Sequence, residues 1–272
     1  MSPKAPRHDD RTGRVVDHDG TRYRVDGAGH PVVLIHGVGM DLTMWDAQTA
    51  ALGRHLTVIR YDMLGHGGSA TRSHAKLRDF VDQLRRLLDH LSLDRVYLVG
   101  FSMGGMVAQA FAVHHPDRVA RLVIMSAVYD RPLAARAAVE ERVRQVEREG
   151  VGANLDAALK RWFTPAYAAA HPEALATVRR RFAANDPAGY LAAYRVFATG
   201  DVELVDSIRT IRCPTLVATG ELDPNSTPVM AERMAALIPG ARAVIWPGVP
   251  HLAPIEAVDT VNELLLGFLV TR

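Results

Sequence analysis

Short apolar runs rich in β-branched residues alternate with helix-spaced segments along most of this chain, and that alternation restricts the fold more than any other feature. The runs are PVVLIHG (Pro31–Gly37), LTVIRYD (Leu56–Asp62), RVYLVG (Arg95–Gly100), RLVIMS (Arg121–Ser126), PTLVATG (Pro214–Gly220) and ARAVIWPG (Ala241–Gly248). Continuous apolar character marks strands buried on both faces. Among the helical segments, Ala75–Leu91 is apolar at Leu77, Phe80, Val81, Leu84, Leu87, Leu88 and Leu91, the spacing of one helix face. Thr43–Leu52, Met103–His114, Pro228–Leu237 and Val258–Val270 are further helix candidates. Strand and helix in succession predict an α/β domain with a mostly parallel sheet covered on both faces.

Two departures from this rhythm organise the chain. Near the start, VVDHDGTRYRV reads as two short strands around an Asp19-Gly20 hairpin turn. From Leu133 to about Ala198 no strand candidate occurs, only Ala- and Arg-rich helical stretches broken by Gly150, Pro165, Pro172 and Pro187. The expected division is a disordered polar tail over 1–12, an α/β core over 13–130 and 201–272, and a helical cap over 131–200. At 272 residues the chain buries roughly 75% of its unfolded surface, so neither disulfide nor metal is required for stability.

Gly100-Phe101-Ser102-Met103-Gly104 matches G-x-S-x-G and lies between a strand and a helix, where a strained turn exposes a serine hydroxyl. Side chains at the glycine positions would collide with the neighbouring strand and helix. Ser102 is therefore read as a nucleophile, against the alternative of a purely structural turn. A serine hydroxyl needs a base beside it. Of the 12 histidines, only His251 lies beyond the last strand, in a Gly248-Val249-Pro250-His251 loop. The order Ser, acid, His then points to Asp223, in Gly220-Glu221-Leu222-Asp223-Pro224, as the residue that orients the imidazole. Glu221 and Asp130 compete for that role, and an Asp-Pro turn is the structural alternative.

An oxyanion needs two donors. The Met103 amide, directly after the nucleophile, is one candidate, and the Val38 amide in His36-Gly37-Val38-Gly39 is the other. His36 is read as a structural hydrogen-bonder. Asp62–Ser69 (DMLGHGGS) is glycine-rich but lacks the Gly-Lys-Ser/Thr ending of a P-loop and the G-x-G-x-x-G of a dinucleotide fold, so it is read as a tight turn.

Composition narrows the partners. A net charge of +2 with dispersed arginines argues against a nucleic-acid partner, and the run Arg179–Arg181 reads as a solvated helix face. The single cysteine, Cys213, permits no internal disulfide and no Cys-based metal site. No stretch reaches the ~18 apolar residues of a membrane helix, and MSPKAPRHDDRTG lacks the apolar region of a signal peptide. The expectations are a cytoplasmic monomer or homodimer, a small-molecule substrate, and no metal or other cofactor.

Taken in order, the HGVG loop, YDMLGHGGS, GFSMGG, GELDP and GVPHLAP resemble the α/β-hydrolase superfamily over residues 21–270. The resemblance implies the α/β-hydrolase fold: a mostly parallel eight-stranded sheet flanked by helices, with a helical cap after the sixth strand. HGVGMDLTMWDAQ, GFSMGGMVAQAFAVHHPDRVARLV and RWFTP (Arg161–Pro165) look most like the 3-oxoadipate enol-lactonase branch of aromatic catabolism. The chain also resembles hydrolases of N-acyl enamine succinates, and assorted esterases. It departs from enol-lactonases in HLAPIE, where those carry serine and asparagine after the histidine. The implied activity is hydrolysis of a small ester or lactone, with an activated amide as the alternative. A haloalkane dehalogenase or epoxide hydrolase would need aspartate at position 102. A carbon–carbon bond hydrolase, a cofactor-free perhydrolase and a ligand-binding receptor on the same scaffold stay open. In the cap, Trp162 is expected to pack on the substrate, and Arg131 or Arg161 to pair with a substrate carboxylate.

Overall fold

The computed structural model describes residues 15–270; the tail expected over 1–12 lies outside the described residues. Among the described residues eight strands form one sheet: β1 (Val15–His18), β2 (Thr21–Gly27), β3 (His30–Ile35), β4 (Leu56–Tyr61), β5 (Val96–Phe101), β6 (Val119–Met125), β7 (Thr215–Gly220) and β8 (Arg242–Trp246). Their order is β1-β2-β4-β3-β5-β6-β7-β8, with β2 alone running against its neighbours. Every residue of β4 and β7 is buried, as is all but the first of β3, which is why these strands read as mostly apolar runs; the buried charge in β4, Arg60, pairs with Asp26 and Asp46.

The core helices are α1 (Asp46–Leu52), α2 (Leu77–His90) and α3 (Met103–His114) in the first half of the chain. Five more follow β6: α4 (Leu133–Glu149), α5 (Leu155–Trp162), α6 (Pro165–Ala170), α7 (Pro172–Ala183) and α8 (Pro187–Thr199). Finally α9 (Pro228–Leu237), α10 (Ala253–Glu256) and α11 (Val258–Leu269) return to the core. The α2 face expected from its spacing is the buried one, Leu77, Phe80, Val81, Leu84, Leu87 and Leu88. By contrast α3 is buried on all sides from Met103 to Ala112, sandwiched between the sheet and α2. The helix expected over 43–52 is shorter. Asp41 accepts the Thr43 amide at 2.8 Å and starts a 3-10 turn over Leu42–Trp45, and α1 begins only at Asp46.

The prolines that break up the 131–200 stretch are helix starts. Pro165 and Pro187 each follow a capping residue: Thr164 accepts the Tyr167 amide at 3.1 Å and Asp186 the Gly189 amide at 2.7 Å. Proline at this position sacrifices no helical hydrogen bond. The ends of the insertion are stapled by one buried pair. Arg131, just before α4, donates its amide and guanidinium to Asp201, just after α8, at 3.0 Å each. The insertion rests on loops at the C-terminal edge of the sheet: Leu252 donates to the Trp162 carbonyl at 3.1 Å, and Thr164 donates its amide to Glu256 at 3.0 Å. Among the described residues no helix is long and apolar enough to cross a membrane.

Candidate active site

The strand order reverses at β3: its successor in the chain, β4, lies on one side, and β5 on the other. Loops leaving β3 and β5 therefore diverge and open a crevice, the favoured ligand position in such sheets. Ser102 follows β5 and Val38 follows β3, so both face that crevice.

Ser102 sits at φ 54°, ψ −116°, a conformation unfavourable for an L-residue, with its amide bonded to Met125 O at 2.8 Å. The surrounding glycines make the turn possible. A Cβ on Gly104 would lie 2.3 Å from the Ile35 carbonyl oxygen and 2.4 Å from that of His36, and one on Gly100 would lie 2.3 Å from the Gly104 oxygen. These contacts are with backbone, which cannot swing aside.

The three residues read as a catalytic set come together. His251 Nε2 is 3.2 Å from Ser102 Oγ, and His251 Nδ1 is 2.6 Å from Asp223 Oδ2. All three are buried, at 3% exposure for Ser102, 2% for Asp223 and 5% for His251. The second Asp223 oxygen accepts the Asn225 and Ser226 amides at 2.9 and 3.0 Å, which holds the carboxylate in place and supports its charge. The competing acids point elsewhere. Glu221 accepts the Gly248 amide at 2.8 Å on the surface, and Asp130 pairs with Arg233. The rings of Phe101 and Trp162 pack against the imidazole, with centroids 5.1 and 6.3 Å from it.

Met103 is the first residue of α3, so its N–H has no intrahelical acceptor and carries the positive end of the helix dipole. Val38 occupies the second position of a turn closed by Met40 N–H to Gly37 O at 3.1 Å, a bond that leaves its own amide unused. His36 and the Asp62–Ser69 loop support this turn from below. His36 Nε2 accepts the Met63 amide at 2.9 Å, His66 Nε2 accepts that of Gly39 at 2.9 Å, and Asp62 accepts the Leu42 and Gly68 amides at 2.7 and 2.8 Å. The glycine-rich stretch is a structural brace.

Above Ser102 lies a cavity roofed by Arg142, Asn154, Arg161, Trp162, Phe182 and Tyr194. Trp162 and Arg161 line this cavity. Arg131 does not: it is buried, its guanidinium bonds Asp201 and the Phe197 and Ala198 carbonyls, and its charge is neutralised before any substrate arrives. Burial lowers its pKa to about 10, so it keeps its proton at neutral pH. The cation missed from sequence is Arg142. It stands in ERVRQVERE, whose alternating charges look like a solvated face, and only the packing of α4 turns this one arginine inward. Its Nε donates to Tyr194 Oη at 3.3 Å. Burial, and then the nearby Arg142 charge, lower the pKa of Arg161. Neither Arg142 nor Arg161 has a carboxylate partner among the described residues.

A strained serine at a strand-to-helix turn, hydrogen-bonded to a late histidine beneath a helical insertion, defines the α/β-hydrolase class. A family model of the alpha/beta hydrolase fold matches residues 30–258, and the chain belongs to that family. It is 36% identical over 252 residues to (E)-2-((N-methylformamido)methylene)succinate hydrolase of Acinetobacter baylyi, covering 92% of this chain and 94% of that one. With 3-oxoadipate enol-lactonase 2 of the same organism it shares 28% identity over 72% of each chain. The crystal structure of the enol-lactonase from Burkholderia xenovorans LB400 superposes with a TM-score of 0.86 at 31% identity, over 95% of this chain and all of that one. The protein is a hydrolase of enol-lactonase-like sequence and structure.

Proposed function

We propose that this hydrolase cleaves a small ester or lactone carrying a carboxylate, through an acyl-enzyme on Ser102. The observation that carries the reading is one cavity lined both by Ser102 and His251, whose hydrogen-bonded chain continues to Asp223 behind them, and by two arginines without carboxylate partners. Asp223 keeps the proton of neutral His251 on Nδ1, leaving Nε2 free to take the Ser102 proton as Oγ attacks the carbonyl carbon. The oxyanion is held by the Val38 and Met103 amides. His251 then gives its proton to the leaving oxygen, which in a lactone stays tethered to the acyl group. Water attacks the acyl-enzyme with His251 again as base, and the acid and free Ser102 are released.

The insertion over 131–200 acts as the cap of this pocket, with Trp162 against the substrate and Arg161 and Arg142 as carboxylate partners. Two unneutralised guanidinium groups at one mostly apolar cavity favour an anionic ligand, since arginine binds carboxylates bidentately. The same pair supports a second reading, cleavage of an activated amide in an N-acyl enamine succinate. Such a substrate bears two carboxylates, and the Acinetobacter relative is named for hydrolysing one.

Hydrolysis of p-nitrophenyl acetate, a carboxymethyl enol-lactone and an N-acyl enamine succinate, each with Ser102→Ala as control, tests both readings. The carboxylated substrates are expected to lead in kcat/KM, and Ser102→Ala to lower kcat by roughly 10⁴-fold or more. Persisting turnover in Ser102→Ala, or a clear preference for the neutral ester, overturns the proposal; preference between the two carboxylated substrates separates lactone from amide.

A further inference from the structure

The peptide that carries the Val38 amide is held by more than its own turn. The Gly37 carbonyl, on the same peptide plane, lies 2.8 Å from His36 Nδ1 and 3.1 Å from the Met40 amide. Because His36 Nε2 accepts the Met63 amide, its proton must sit on Nδ1, which therefore donates to Gly37 O. The next residue, Gly39, is gripped at both ends. Its N–H donates to His66 Nε2 at 2.9 Å, and its carbonyl accepts from Asn185 Nδ2 at 3.0 Å. Asn185 is 146 residues away, just past α7, and is 6% exposed.

Neighbouring residues of α7 reach the same loop. Phe182 lies so close over Gly39, whose φ is +80°, that a Cβ there would fall 2.2 Å from the ring. Arg181 donates to the Thr43 carbonyl at 3.0 Å. Both histidines are held neutral by burial, His36 with its pKa lowered and His66 down to about 3. The bonds they make to this loop therefore persist across the working range of a neutral-pH hydrolase.

We infer that Asn185 is a positioning residue for the oxyanion hole: the helical insertion holds the Gly39 carbonyl of the Val38 turn from above, while His36 and His66 hold the Gly37 carbonyl and the Gly39 amide from below. The physical case is that an oxyanion donor works by being aimed in advance at a charge that exists only in the transition state. A loop of small residues, Gly37 and Gly39 flanking Val38, has the freedom to drift unless each peptide plane is anchored. Here the core supplies the anchors on two peptide planes, and on the third, where Met40 N–H closes the turn, the insertion adds a second anchor at the Gly39 carbonyl. The inference rests on the serine-hydrolase reading above and adds a consequence: the insertion contributes to the rate of the chemical step as well as to substrate choice.

The test measures kcat and KM of Asn185→Leu and Asn185→Asp with p-nitrophenyl acetate. It also measures the affinity of a small trifluoromethyl ketone, whose hemiketal with Ser102 places an oxyanion in the hole. Leucine removes the donor at similar volume; aspartate keeps the shape but presents an acceptor to the Gly39 carbonyl, and it carries the test if the leucine variant does not fold. Removal of a direct oxyanion donor costs roughly 10²–10³-fold in kcat, so loosening one should cost about 10- to 100-fold. KM should hold within about twofold, and ketone affinity should fall in parallel with kcat, because only the transition state and its mimic use the hole. Wild-type kcat and ketone affinity in a folded variant, or a change confined to KM, overturn the inference. Ser102→Ala in the same assay separates the two proposals: turnover surviving there removes the hydrolase reading itself, whereas a dead Ser102→Ala beside an unaffected Asn185 variant removes only the positioning role.

Discussion

The floor and the roof of the pocket are built by different means. The floor, around Ser102, Val38 and His251, is a set of backbone turns locked by glycines, buried carboxylates and neutral histidines, with hardly a gap between them. The roof is side chains, Arg142, Arg161, Trp162, Phe182 and Tyr194, projected from ordinary helices whose outer faces are solvent-exposed. Backbone geometry aims atoms to a fraction of an ångström but tolerates almost no substitution. Side chains on helices are aimed less tightly but can be exchanged without unmaking the fold. Asn185 is one of the points where the two halves touch, beside Phe182 over Gly39, Arg181 on Thr43 and Leu252 on Trp162.

The same mutation made in each half should break the symmetry most sharply. Gly104→Ala puts a methyl group against two backbone carbonyls on the floor, and is expected to cost about 3 kcal/mol or more in urea denaturation and to abolish turnover. Gly152→Ala, in the roof, meets nothing within 4 Å and should be neutral or stabilise by up to about 1 kcal/mol. Comparable losses at both positions would remove the contrast between the halves.

Next in size are the roof arginines. Arg161→Ala and Arg142→Gln should each raise KM for a carboxylated substrate by about 10- to 100-fold, the range of one charge-assisted contact of 1.5–3 kcal/mol, while leaving p-nitrophenyl acetate within a few-fold. Steady-state kinetics on the two substrates decides it; an equal loss on both would mean that these residues shape the floor as well.

The smallest effect is a pH slope confined to the floor. The folded pKa of His66 is depressed to about 3 from 6.5, so below pH 6.5 the unfolded chain binds a proton that the folded chain does not. Its contribution to stability is present above the unfolded value and is lost as pH falls from 6.5 towards 3, at about 1 kcal/mol per pH unit. Urea denaturation at pH 7 and pH 5 should show the fall, and His66→Gln, which keeps an acceptor for Gly39 N–H without the titration, should reduce it, leaving the part due to His36, whose pKa burial also lowers. A slope unchanged in that variant would place the sensitivity elsewhere.

Legibility in the sequence followed the same boundary. Ser102, Asp223 and His251 were readable because each sits at a fixed place relative to a strand end, in a motif whose glycines and loop position have steric reasons. The strand candidates followed from apolar runs and the Asp19-Gly20 turn, and the helical nature of the insertion from its Ala- and Arg-rich composition without a strand candidate. The roof was read unevenly. Trp162 was picked out as a cap aromatic, and Arg131 or Arg161 as a cap arginine suited to a carboxylate, although Arg131 is committed to Asp201; Arg142 and Asn185 were not singled out at all. In an Arg- and Ala-rich helical stretch every arginine has the same local context, and a lone asparagine after a helix looks like any other helix end.

Local chain chemistry therefore determined the sheet, the strained serine turn and the order of the three polar residues, since each depends on hydrogen bonds and steric limits between near neighbours or on strand-end position. Which arginine faces the cavity, and which insertion residue reaches Gly39, was decided only when α4–α8 packed over the loops after β3 and β8. Those contacts join residues 88 to 146 positions apart, and their partners are selected by the angle of one helix on another, a quantity no short stretch of sequence contains.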